Sequence, residues 1–144
     1  MRELAVQAAG ENNATTRATY QTSFTSYLND ITNIVGRTTY NGSSVMDGTT
    51  TSVSVQTGID ASQTKTLAFS DMSSTGLGIA AIDLSTSTTD ASTAITTLDT
   101  AMTTATSYMT TVGAYENSLS FSSDLANQNI QNKKFDLIDA RSKG

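Results

Sequence analysis

Apolar residues recur at alternating spacings of four and three along one early stretch: Tyr20, Phe24, Tyr27, Ile31 and Ile34, with Leu28 and Val35 widening the stripe. That period puts them on one face of an amphipathic helix, which Gly36 is expected to end. Upstream, "MRELAVQAAG" strings good helix formers together and closes on Gly10, the pattern of a short helix with its C-terminal breaker. Between the two helices, "ENNATT" at 11–16 offers several N-capping side chains.

After Gly36 the period changes. "RTTYNGSSVMDG" at 37–48 packs turn formers closely, and "TSVSVQTG" and "TKTLAF" then alternate apolar with polar at Val53, Val55, Leu67 and Phe69. Alternation of this kind predicts two strands, joined as a hairpin by the turn-prone "GIDASQ". The run "GLGIAAIDL" brings Leu77, Ile79, Ile82 and Leu84 close together but is too short for its period to separate helix from strand. From Asp90 onward the pattern is helical again and long: Ile95, Leu98, Met102, Ala105, Met109 and Val112 repeat by three and four, and the frame continues through Leu119, Ala126, Ile130 and Leu137. The chain has no proline to interrupt it. A helix of roughly forty residues, ~60 Å at ~1.5 Å per residue, is implied.

These periods set the expected fold: mainly α with a small β region, an elongated rod-like helical bundle in which one long C-terminal helix packs on two N-terminal helices, plus a β-hairpin. One domain is expected over 1–144, with helices at 1–36, the hairpin and turns at 37–89, and the long helix and tail at 90–144. Its core falls to Tyr20, Phe24, Ile31, Ile95, Leu98, Met102 and Leu119. Glu116 lies on the apolar stripe of the long helix, where Arg37 is a candidate partner and an exposed edge is the simpler account.

Composition then removes most chemistry. A net charge of −5 with eight scattered Lys and Arg leaves no basic face for a phosphate backbone, so nucleic acid is not an expected partner. The absence of cysteine and histidine excludes disulfides, thiol nucleophiles, the usual zinc ligands and His-based proton transfer. No carboxylate pair stands in a catalytic context, and the apolar runs are far short of the ~20 residues of a membrane span. The expectation is therefore a protein that is not an enzyme, uses no cofactor or metal and does not insert into a membrane. The N-terminus lacks a secretory signal pattern.

Five stretches in order carry a family resemblance: "MRELAVQAA" at 1–9, "TTYNGSSVMDG" at 38–48, "VQTG" at 55–58, "GLGIAAIDLST" at 76–86 and "AITTLDTAMTTATSYMTTVGAYENSL" at 94–119. They resemble the motifs of bacterial flagellin over essentially the whole chain, with Tyr40 where the family's Asn-Gly signature has Phe. The closing "DLIDARSKG" is similar to another family element except that Arg141 replaces an acid. The resemblance implies the inner-core (D1-like) part of a flagellin without the terminal D0 segments, a structural subunit of an extracellular filament exported without a cleaved signal peptide. It implies other flagellin subunits as partners, and an export chaperone and filament cap as further ones. Ser23 and Met109 stand where many flagellins carry charge, so recognition by an animal innate receptor is not implied.

Function in that family lies in surfaces. The candidate inter-subunit residues are Arg2, Glu3 and Gln7 on the first helix, Glu11 in the connector, and the turns at Asn41, Gly42, Asp47 and Gly48; local turn chemistry is the competing account of the last four. A hook–filament junction protein of the same superfamily, or a carbohydrate-binding surface adhesin, are the alternative functions. Without the terminal segments that build a filament's inner tube, the chain as given is expected not to polymerise alone.

Overall fold

A computed structural model describes residues 1–58 and 60–143. Helix α1 spans Arg2–Ala9, α2 spans Ala14–Arg37 and α3 spans Thr88–Lys143, with four short strands between the last two. The strands are β1 (Thr39–Tyr40), β2 (Ser43–Ser44), β3 (Ser52–Gln56) and β4 (Thr64–Ala68). They form two separate two-stranded sheets, β1 with β2 and β3 with β4. The expected class, mainly α with a small β region, is the observed one.

The starts of α2 and α3 have a local cause. Asn13 is extended at the head of α2, and its side-chain oxygen accepts from the backbone N–H groups of Thr15 (2.9 Å) and Thr16 (3.3 Å), two donors the helix cannot satisfy internally. At the head of α3, Ser87 Oγ accepts from Asp90 N at 3.0 Å and lies 2.9 Å from the Asp90 carboxylate, the Ser-x-x-acid arrangement of a capping box. Helix α2 runs through Gly36 and closes at Arg37, one residue beyond the expected stop, where Thr38 N–H turns back to the Val35 carbonyl.

Two compact units partition the contacts, one formed by Met1–Thr51 with Ala68–Tyr108 and the other by Ser52–Leu67 with the chain from Met109 onward. The first holds a core in which Ala5 and Ala8 of α1, Phe24 of α2, Ile79 and Leu84 of the loop before α3, and Ala91, Ala94, Leu98 and Ala101 of α3 are buried together. Met1, Leu4, Tyr20, Leu28, Ile31, Leu77, Ile82 and Ile95 pack against it partly buried. The run 77–84 is therefore neither helix nor strand; successive turns carry it, with Leu77 N–H bonded to Ser73 O and Ile79 N–H to Ser74 O. In the second unit the hairpin alternates as expected, with Val53, Val55 and Lys65 half-buried, Leu67 buried and the polar neighbours exposed.

The long helix differs from expectation in length and in the face it buries. It runs 56 residues, ~84 Å at ~1.5 Å rise, rather than roughly forty. Its buried positions are Ala91, Ala94, Leu98 and Ala101, and the half-buried ones continue at Ala105, Tyr108, Tyr115, Ser118, Leu119 and Ser122. Met102, expected in the core, is 57% exposed, and Met109 is 72% exposed. The stripe lies one residue back from the predicted frame, on the small residues of α3 that share the core with Ala5 and Ala8 of α1 rather than on its methionines. Tyr27 and Ile34 are likewise exposed, leaving Tyr20, Phe24, Leu28, Ile31 and Val35 as the inner face of α2. Glu116 is exposed, and among the described residues it makes no ion pair with Arg37.

Phe24 is fully buried at the meeting of all three helices and the 77–84 run. Phe24→Ala is expected to cost about 3–5 kcal/mol, the range for removing a buried aromatic ring. Urea denaturation followed by the helical circular dichroism signal measures it directly.

Candidate functional site

Among the described residues no group of acidic side chains is placed to hold a metal ion. What the fold arranges instead is a set of locked turns and a set of uncovered side chains.

The strongest lock lies in the first unit, where α2 grips the backbone of the segment entering α3. Gln21 Oε1 accepts from Leu84 N at 2.8 Å while its Nε2 donates to Ile82 O at 3.3 Å, so one amide side chain pairs with both backbone groups as a neighbouring strand would. One turn earlier, Arg17 is buried to 8% exposure; its Nε donates to Ser85 O (3.2 Å) and its Nη1 to Glu11 O (2.9 Å). Two carbonyls thereby satisfy a guanidinium that would be costly to bury bare. Next to this clamp, Asp83 takes hydrogen bonds from Ser85 N (2.8 Å), Ser85 Oγ (2.6 Å) and Thr86 Oγ1 (2.6 Å). These donors, the Ser85 hydroxyl foremost, hold its carboxyl down at about 2. Sequence reasoning passed over Arg17, Gln21 and Asp83; the Ser-x-x-Asp pattern at 87–90 was the one readable cue to this corner.

The turn cluster is equally local. Asn41 (φ 51°) and Gly42 (φ 79°) both take the left-handed region between β1 and β2, as a two-residue type I′ hairpin requires, and the ladder pairs Thr39 with Ser44 and Tyr40 with Ser43. Asp47 accepts from Thr49 N (3.0 Å) and Thr49 Oγ1 (2.6 Å), and that hydroxyl is the leading reason its carboxyl titrates below the ordinary value. Gly48 (φ 84°) follows, and any Cβ there would stand 3.2 Å from the Asp71 carboxylate. Local turn chemistry thus accounts for all four turn residues. Of the candidates on α1, Arg2 forms an ion pair with Asp99 of α3 at 2.7 Å, half-exposed on both sides, while Glu3 and Gln7 are exposed. Glu11 bonds the Asn13 N–H at 2.8 Å.

Most of the uncovered large apolar side chains are on α3. Phe121 is 65% exposed, Phe135 66%, Leu137 60% and Ile130 56%, with Leu125 and Ile138 also open. Phe121 and Leu125 stand one turn apart; Ile130 is nine residues on from Phe121, about 180° round the helix at ~100° per residue. Apolar bulk is therefore presented on more than one side. In the second unit, Leu125, Ile130 and Leu137 floor a wide cleft whose rim includes Gln56, Asp60 and Lys133.

Residues 1–51 match the family model described as the bacterial flagellin N-terminal helical region. Among solved structures, the chain is similar to a crystal structure of flagellin from Bacillus cereus: 35% identity, a TM-score of 0.69, and an alignment covering 83% of this chain and 69% of that one. No curated protein matches the chain.

Gln21→Ala is expected to destabilise the fold by about 1–3 kcal/mol, because it strands part-buried backbone groups at Ile82 and Leu84, and hydrogen exchange at Leu84 N–H should accelerate with it. Asp83 gives the acid limb of stability. Its folded value is depressed, so its contribution is complete above the ordinary carboxylate value of 3.8 and is lost as pH falls from there through about 2. Urea midpoints of the parent and of Asp83→Asn should therefore differ at neutral pH and converge towards pH 2.

Proposed function

The chain belongs to the flagellin family, and from that membership we propose that it is a structural subunit which self-assembles with copies of itself into the extracellular bacterial flagellar filament used for motility. Flagellins are a structural rather than an enzymatic family, and the absence of histidine and cysteine is in keeping with that. The observation that carries the proposal is the uncovered apolar surface of α3. A helix with Phe121 and Phe135 open on one side and Ile130 and Leu137 on the other is built to be covered from more than one direction. Repeated heterologous contacts between identical subunits supply such cover and, where the rotation does not close a ring, generate a helical polymer.

Arg2, Glu3, Gln7, Glu11 and the Asn41-Gly42 and Asp47-Gly48 turns are the proposed polar part of the subunit contacts, with rigid turns presenting a fixed outline to a neighbour. An export chaperone that shields the open apolar residues before assembly, and a cap at the growing tip, complete the proposed partners.

Electron microscopy of the producing cells with gold-labelled antibody raised against this chain distinguishes the readings. Label along the whole filament is the expected result. Label confined to the boundary between hook and filament would replace the proposal with the junction protein, and label over the cell body would replace it with the adhesin.

A further inference from the structure

We propose that Asn41 is a site of spontaneous main-chain modification: the Asn41-Gly42 pair cyclises to a succinimide and converts to aspartyl and isoaspartyl forms. Four features meet there. Asn41 is exposed and, among the described residues, its side-chain amide has no hydrogen-bond partner, so its carbonyl carbon is free to be attacked. Gly42 follows it, and a residue without a side chain puts no bulk of its own beside the attacking backbone nitrogen. The Gly42 N–H makes no backbone hydrogen bond that would have to break first. The turn is also exposed at both central residues, leaving water free to reach the ring.

The chemistry balances with water alone. The Gly42 nitrogen loses its proton to solvent and bonds to Asn41 Cγ, the Cγ–Nδ2 bond breaks, and the amide leaves as ammonia. Water then opens the ring at either carbonyl, giving an aspartyl residue or an isoaspartyl residue at position 41. Both add one negative charge. The isoaspartyl form also places an extra carbon in the main chain of a two-residue turn, which the Tyr40–Ser43 pairing across β1 and β2 has no slack to absorb.

The Asp47-Gly48 pair six residues on makes the contrast. Thr49 holds the Asp47 carboxyl with two hydrogen bonds and keeps it ionised, and a carboxylate is a poor electrophile. The same ring closure is blocked there although the sequence pattern is nearly the same.

The sequence supplies a clean assay. Trypsin cuts after Arg37 and Lys65 and releases peptide 38–65, in which Asn41 is the one asparagine; peptide 18–37 carries Asn29 and Asn33, both within α2, as an internal reference. The folded protein is incubated at mildly alkaline pH, digested and examined by mass spectrometry, with isoaspartate detected by labelling with an isoaspartyl carboxyl methyltransferase. The expected result is conversion of peptide 38–65 at a rate on the order of tenfold or more above peptide 18–37, with isoaspartate among the products, asparagine being a thermolabile side chain wherever structure does not restrain it. Equal rates in the two peptides would overturn the proposal by showing that the hairpin restrains Asn41 as a helix does. Conversion to aspartate with no isoaspartate would overturn it by excluding the succinimide.

Discussion

Close packing over a short alanine-lined length of α3 is the constraint on which the first unit depends. Ala91, Ala94, Leu98 and Ala101 are buried against Ala5 and Ala8 of α1, with Phe24 and the loop residues Ile79 and Leu84 completing the contact. The alanines add little volume each, and the cluster they share with Phe24, Ile79, Leu84 and Leu98 is closed to solvent although most of its side chains are small. The Arg2–Asp99 pair accompanies that contact but lies half-exposed, where an ion pair contributes about 0–1 kcal/mol, so it fixes register more than it stabilises. The remaining turns of α3 have no fully buried position.

Such a contact also has to place a non-regular segment in its centre. Residues 77–84 enter the core without helix or strand bonding of their own, so their backbone polar groups need partners from elsewhere. Local turns supply them at the N–H groups of residues 77–80 and Ile82, Gln21 of α2 supplies them at Ile82 O and Leu84 N, and Arg17, one helical turn earlier, holds the Ser85 carbonyl just beyond, while Asp83 and Ser87 organise the next residues into the start of α3. The polar clamp and the apolar core are thus one device: Leu84 is fully buried where its own N–H is held by Gln21.

This division explains what the sequence disclosed. Helix periods, breakers and the Asn-Gly turn are local properties, and Gly10, the capping stretch at 11–16 and the alternation at Val53 and Val55 emerged from them directly. The buried frame of α3 did not, because a hydrophobicity pattern weighs Met102 above Ala101, whereas a close helix contact selects for smallness. Ile130 and Leu137 misled in the same way; both continue the predicted apolar frame, and both are open. Gln21 and Arg17 were illegible because the backbone atoms that give them their role, at Ile82, Leu84 and Ser85, lie more than sixty residues away and leave no mark in the pattern.

The threonine-rich surface of the long helices bears on function through its hydration. Thr19, Thr22 and Thr32 on α2, and Thr97, Thr100, Thr103, Thr104 and Thr106 on α3, each turn the hydroxyl back to the carbonyl four residues earlier. The hydroxyl is then satisfied within the helix whether or not water is present. Only 15% of the chain is charged, so covering these faces strips hydration from few ions. Desolvating a charge or an unpaired hydroxyl is what makes most polar surface costly to bury, and interface centres are accordingly depleted in charge. A helix surface of back-bonded threonines can therefore be covered by a neighbour at small cost and exposed to water without collapse, the combination a subunit needs if it is to be soluble before assembly and covered after it.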